Sequence, residues 1–294
     1  MPDPDIHHKA CPDDNDWSLI LRRLRRGRCV PFLGAGASLG FGGAVGLPTA
    51  GELARKLAEK CNFPGADPSD FFRVTQYFRM VTDDHELRTV VRELLSVPKA
   101  GPSIVHQTLA SLPIAYVLTT NFDKLMERAF EDAEKPGVRA FVYERRGNSL
   151  DLPNATSAEP IVYKLHGSLD NLPSMVLTED DIVDFLACLI AGEPRIPSTI
   201  TTLFNEYSIL FIGYGLKDIN VRVMLRALRG KRERAPDIRS FAIQRGPNDP
   251  ALTREWRETV MFFRNRESLD CYDMDAAQFV VELKRRFDAG EGAI

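Results

Sequence analysis

The chain has 294 residues, 44% of them hydrophobic and 27% charged, enough for one large domain or two modest ones without a disulfide or metal staple. Its 38 Lys and Arg against 41 Asp and Glu give a formal net charge of -3, which argues against a general nucleic-acid binder. Twenty glycines and 19 prolines exclude collagen-like and low-complexity classes.

Residues 1–15, polar and rich in proline and aspartate, read as a mobile tail and carry no secretory signal. No stretch approaches 18 uncharged apolar residues, so the expectation is a soluble, cytoplasmic protein. Cys11, Cys29, Cys61, Cys188 and Cys271 are scattered, which excludes paired zinc knuckles and reads as reduced thiols.

Trp17, Ile20, Leu21 and Leu24 fall on one helix face, with Asp16 as its cap and Gly27 as its stop. The opposite face carries Arg22, Arg23, Arg25 and Arg26, with Arg28 just beyond. It reads first as a solvated face and second as a docking surface for an acidic partner or nucleic acid. Residues 29–33 form a short apolar run ended by glycine, a buried strand. Thr49-Ala50-Gly51-Glu52 is a capping box, and Leu53, Ala54, Leu57, Ala58 and Cys61 face inward behind it. Helical patterns broken by Pro68, Pro98 and Pro102 predict a small helical insert over 64–112.

Residues 115–119 form a second strand, followed by a helix with Leu125, Met126, Ala129 and Phe130 inward. Further strands are expected at 139–144, 161–165, 207–212, 240–243 and 259–263. Thr178 and Asp181 cap a helix that runs to about Leu189, another lies near 220–228, and a last one uses Phe279, Val280, Leu283 and Phe287. Strands that alternate with helices predict an α/β fold: a Rossmann-like, mostly parallel sheet with helices on both faces and a small helical insert. Such sheets bind ligands at the carboxyl ends of their strands.

Four polar or glycine-rich motifs fall at those ends. Gly34-Ala35-Gly36-Ala37-Ser38 follows the first strand. Small residues admit a ligand to the backbone, and free N–H groups with the Ser38 hydroxyl suit a pyrophosphate. A tight strand-to-helix turn explains the same residues equally well. Thr119-Thr120-Asn121-Phe122-Asp123 follows the second strand; Asp123 is the better helix cap, which leaves Asn121 to orient a ribose hydroxyl or a water. Lys164-Leu165-His166-Gly167-Ser168 places at a strand end the one histidine suited to general-base chemistry, with its ordinary pKa near neutrality. Gly213-Tyr214-Gly215-Leu216-Lys217-Asp218 follows a late strand, and Asp218 caps the next helix or binds a hydroxyl.

Taken in this order, the four motifs resemble the sirtuin-like NAD-binding family, in its bacterial zinc-less branch of anti-phage defence effectors. The resemblance spans residues 29–220. It implies a Rossmann-like domain with NAD+ in the cleft beside a small inserted domain. It implies that Gly34, Ala35, Gly36 and Ser38 line the pyrophosphate, and that Asn121 and Asp123 line the nicotinamide-ribose pocket. His166 is then the catalytic base, Gly213 and Gly215 meet the adenosine half, and Thr120 and Asp218 are further cofactor-binding candidates. The chain departs from the family's deacetylases in lacking their four zinc cysteines and, after Gly46-Leu47-Pro48-Thr49, their Phe-Arg pair.

The resemblance therefore implies an NAD+ glycohydrolase with Asn121, Asp123 and His166 as catalytic residues, NAD+ as substrate and no zinc. The alternatives are an NAD-dependent protein deacylase or ADP-ribosyl transferase, and a non-catalytic subunit that binds NAD or ADP-ribose. Control is expected through homo-oligomerisation and through a separately encoded sensor, ATPase or nucleic-acid-handling partner. No membrane association and no direct nucleic-acid binding are expected.

Overall fold

Five consecutive buried residues make β1 (Cys29–Leu33) the centre of the sheet. A strand covered on both faces is apolar throughout instead of alternating. The computed structural model describes residues 9–147, 151–216, 219–229, 238–246 and 253–293. Beside β1 lie β2 (Tyr116–Thr119) and β5 (Ser208–Ile212), with Phe32 in register with Leu118 on one side and Phe211 on the other. With β3 (Arg139–Val142), β4 (Ile161–Lys164), β6 (Ser240–Gln244) and β7 (Leu269–Asp273), the sheet runs β3-β4-β2-β1-β5-β6-β7. Every pairing is parallel.

Successive strand residues point to opposite faces. Val30, Phe32, Leu118, Ile209 and Phe211 therefore enter one apolar cluster, and Cys29, Leu33, Val117, Leu210 and Ile212 the other. The first face is covered by α7 (Glu179–Ala191), α8 (Ser198–Glu206), α9 (Ile219–Arg229) and α10 (Thr253–Glu267). The second is covered by α1 (Asp14–Arg25), α5 (Ile104–Ser111), α6 (Leu125–Asp132) and α11 (Ala276–Asp288). The chain leaves β1 toward β2 and returns on the other side at β5, so the carboxyl end of β1 is the switch point of the sheet.

The packing redraws the helical insert. A third cluster joins α2 (Ala50–Cys61), α3 (Phe71–Val81) and α4 (Asp84–Leu95), whereas α5 packs on the sheet through Val105 and Leu109. The separate unit is thus α2 to α4, because those helices bury their apolar faces against each other and against Met175 and Leu177.

Three other expectations are corrected. Residues 259–263 lie in α10, not in a strand. Trp256, Val260 and Phe263 are buried at i, i+4 and i+7, so the apolar run is a helix face, and the strand is the following β7. A short apolar run does not by itself carry a period. At the amino end, Asp13 is the cap of α1 and Asp16 the reciprocal third residue of its capping box. Residues 9–15 belong to the fold: Lys9 bridges to Tyr272 of β7 and its ammonium meets Asp13 and Asp16 at 2.7 Å. Part of the arginine face is also bound internally, with Arg25 over the Phe287 ring and Arg28 over Tyr207. Among the described residues, no helix is long and apolar enough to cross a membrane.

Candidate active site

The loops after β1, β2, β4 and β5 meet at the switch point around a cleft of about 380 Å³, within the size range of small-molecule sites. Gly34, Ala35, Ser38, Thr120, Asn121, Asp123, His166, Gly213 and Gly215 all line it. Gly36 does not, and Asp218, like Lys217, lies outside the described residues.

The two glycine motifs hold each other. Residues 35–38 form one 3-10 turn behind Gly34. A Cβ on Gly34 would sit 2.5 Å from the Gly213 carbonyl oxygen, and one on Gly36 would sit 2.8 Å from the Gly213 Cα. The Gly36 N–H donates to the Gly213 carbonyl at 2.9 Å. Gly36 is therefore required for loop-to-loop contact and not for a ligand. The expected row of free N–H groups is also shorter. Gly34 donates to Ile212, Gly36 to Gly213 and Ala37 to Gly34, which leaves the Ala35 N–H without a protein acceptor among the described residues. Gly213 has a φ of 68°, and a Cβ there would come within 2.2 Å of the Ala37 nitrogen. Gly213→Ala is accordingly expected to lower stability by more than about 2 kcal/mol, as read by urea unfolding. A parent-like unfolding midpoint would show that the loops tolerate separation.

Asn121 is held on three sides. Its backbone N–H donates to Thr119 Oγ1 at 2.9 Å, and its Nδ2 donates to the Gly34 carbonyl at 3.0 Å and to Ser38 Oγ at 3.2 Å. No protein donor meets its Oδ1 among the described residues. Ser38, nearly buried, donates its hydroxyl to Asp123 Oδ2 at 3.0 Å. The other Asp123 oxygen accepts the Leu125 N–H at the start of α6, at 2.9 Å. Both Asp123 oxygens are thus engaged, so Asp123 positions Ser38 and Asn121.

Two buried groups to which the motif reading assigned no role support these loops. Lys164, the last residue of β4, donates to the Asp123 carbonyl and pairs with Glu127 Oε1 at 2.8 Å. His106 accepts the Ser103 N–H on Nδ1, and the Ser103 hydroxyl donates to the Ala37 carbonyl. Burial lowers the basicity of His106, and the charge of Asp123 partly opposes this. His106 lies far in sequence from the cleft motifs, and Lys164, though it opens the His166 motif, serves the neighbouring loop. Only the pairing of β2 with β4 brings Lys164 level with Thr119.

His166 differs most from expectation. Its ring meets Phe185 edge to face at 4.8 Å. Enclosure and then the nearby Arg145 charge push its pKa down to about 3, far from the ordinary 6.5. The imidazole is therefore neutral at physiological pH. A neutral imidazole carries one donor and one acceptor nitrogen. Its Nε2 is enclosed without a partner, and no protein group bonds to either nitrogen among the described residues. Between pH 6.5 and about 3 the unfolded chain binds a proton here that the fold does not. This contribution to stability is complete above 6.5 and is lost as pH falls toward 3. The urea midpoint should fall from pH 7 to pH 4, and less steeply in His166→Gln. Equal slopes in parent and variant would place the ring in an ordinary, solvated state.

The rest of the cleft is apolar. Phe72, Phe122, Val176, Ile182, Phe185 and Met224 line it, and Tyr214 stacks on Phe32 at 5.1 Å. The five cysteines are free thiols, and no cluster of three His, Cys, Asp or Glu is placed to hold a metal among the described residues.

The chain is 27% identical over 257 residues to the defense-associated sirtuin 2 of Bacillus subtilis, covering 84% of this chain and 23% of that protein. It is 28% identical over 225 residues to the NAD(+) hydrolase ThsA of Enterococcus faecium, covering 73% of this chain and 43% of that one. The chain thus spans less than half the length of these relatives. A solved structure from work on the mechanism and regulation of Sir2 enzymes aligns over 94% of this chain and 98% of that chain, at 11% identity and a TM-score of 0.44. Residues 115–262, half of the chain, match the SIR2-like domain, and the chain belongs to that family.

Proposed function

We propose that this chain is an NAD+ glycohydrolase that releases nicotinamide and ADP-ribose, and that it acts as an effector of bacterial anti-phage defence. The observation that carries this reading is the fixed Asn121–Ser38–Asp123 network in one cleft with a neutral, unpartnered His166. The names of the relatives, a defense-associated sirtuin and NAD(+) hydrolases, support it.

Cleavage of the bond between nicotinamide and ribose leaves an oxocarbenium-like ribose that needs electron density nearby. His166, neutral, accepts a hydrogen bond from a ribose hydroxyl and polarises it toward the developing cation. Asn121 Oδ1 accepts from the attacking water and orients it toward the anomeric carbon. Ser38 and Asp123 hold that amide, and the apolar wall excludes bulk water. Water adds its oxygen to the anomeric carbon, nicotinamide leaves with the bonding electrons, and one proton is released.

The test is chromatography of NAD+ incubated with the purified chain, alone and with adjacent-gene proteins. Equal release of nicotinamide and ADP-ribose is expected. Intact NAD+ under every condition, with NAD+ still binding, would favour a non-catalytic subunit. The apolar half of the cleft supports a second reading, removal of an acyl chain from lysine in an NAD+-dependent step. Transfer of an acyl group from an acylated peptide to ADP-ribose would establish that reading.

We also propose a cytoplasmic homo-oligomer controlled by a separately encoded partner. Val183 and Ile190, exposed seven residues apart on α7, lie on one stripe with Ala187 and suit contact with a second copy. Sedimentation of the parent and of Val183→Glu tests this, with dissociation expected in the variant.

A further inference from the structure

A second cavity, of about 550 Å³, is lined by Arg79, Arg88, Arg145 and Arg146 together with Asp84 and Glu144. The cleft around His166 is largely apolar, whereas this one is walled by charged side chains. Two of its arginines form a fixed floor. Arg145 donates to the Asp181 carbonyl at 2.8 Å and to Asp181 Oδ1 at 3.0 Å. Arg88 donates to Asp84 and to the Leu172 and Met175 carbonyls. Both Asp181 oxygens are engaged, since its Oδ2 also accepts the Leu177 and Thr178 N–H groups at the start of α7.

Donors remain over. Arg79 engages one terminal nitrogen, with Gln76 and Asp180, and leaves Nε and Nη1. Arg145 leaves Nε. Arg146 is exposed and makes no hydrogen bond or ion pair among the described residues. Guanidinium forks match the oxygens of a phosphate and hold them by charge-assisted bonds. Glu144 and Asp84 are acceptors on the same wall. A bare anion gives them nothing, whereas sugar hydroxyls would donate to them.

We propose that this cavity binds a phosphorylated sugar, with its phosphate on Arg79, Arg145 and Arg146 and its hydroxyls on Glu144 and Asp84. The site is distinct from the cleft, since the two share no lining residue.

Calorimetric titration of the full chain with ribose 5-phosphate tests the proposal, with parent, Arg146→Ala, Arg79→Ala/Arg146→Ala and Asn121→Ala compared. Saturable binding is expected in the parent and in Asn121→Ala. It should be at least about tenfold weaker in Arg146→Ala and weaker again in the double variant. Inorganic phosphate should bind at least about tenfold less tightly than the sugar phosphate. The absence of saturable binding in the parent overturns the proposal. So does binding that Asn121→Ala abolishes and Arg146→Ala leaves intact, which would place the sugar in the cleft. Equal binding of inorganic phosphate overturns the sugar assignment. The readout is binding, so it stands apart from whether the chain cleaves NAD+.

Discussion

Under the proposed hydrolase activity, His166→Ala should lower the rate of NAD+ cleavage by about 10²–10⁴-fold, the range for removal of a positioned proton acceptor. KM should change far less, because the glycine loops and Asn121 remain in place. The fold should survive. The variant loses one edge-to-face contact with Phe185, about 1 kcal/mol, and no hydrogen bond among the described residues. Steady-state kinetics and a thermal melt on the same preparation decide the matter. Cleavage at the parent rate would remove His166 from the mechanism. A lost melting transition would mean that the ring is structural. The pH profile adds a second reading. With its pKa near 3, His166 does not titrate between pH 5 and 8, so kcat/KM should show no inflection at 6.5 from this residue. An inflection there that disappears in the variant would contradict a neutral ring with an enclosed Nε2.

Lys164→Met is expected to cost about 3–5 kcal/mol of stability, the typical loss when one member of a buried ion pair is removed. Lys164 is 1% exposed and holds both Glu127 and the Asp123 carbonyl. Without it, Glu127 stays buried with no cation, and its second oxygen is already unpartnered. Burial raises the Glu127 pKa, and Lys164 opposes that rise. In the variant that opposition is lost, so protonation relieves the defect: the loss should be greatest near pH 8 and shrink toward pH 5. Lys164→Met/Glu127→Gln should recover much of the stability, because the amide carries no charge to bury. Urea unfolding of the parent and both variants at two pH values provides the check. A loss below about 1 kcal/mol, or one that the double variant does not recover, would show that the pair is not what supports the loop. Cleavage should fall with stability, since the Asn121 loop rests on this lysine.

Much of the architecture was legible in local pattern. The apolar runs at β1, β2, β4, β5 and β6, the capping boxes at Thr49 and Thr178 and the inward faces of α6 and α11 are properties of neighbouring residues. Strand and helix alternation then placed the four motifs at one edge of a parallel sheet, and resemblance to a family named the chemistry. The run at 259–263 failed because its period is set by burial of Trp256, Val260 and Phe263 against the sheet, not by its own composition.

What only the tertiary structure decided depends on residues far apart in sequence. The glycines of the β1 and β5 loops prove to pack on each other. This assigns Gly36 to the fold and leaves the Ala35 N–H as the loop donor without a protein acceptor among the described residues. Ser38 and Asp123, 85 positions apart, are joined by a hydrogen bond that holds Asn121 in place. The protonation of His166 follows from enclosure and from Arg145, and the place of Lys164 follows from the pairing of β2 with β4. Periodicity and capping are short-range and can be read from the chain. Desolvation and charge pairing arise only when distant segments meet, and they are what turn the motifs into a site.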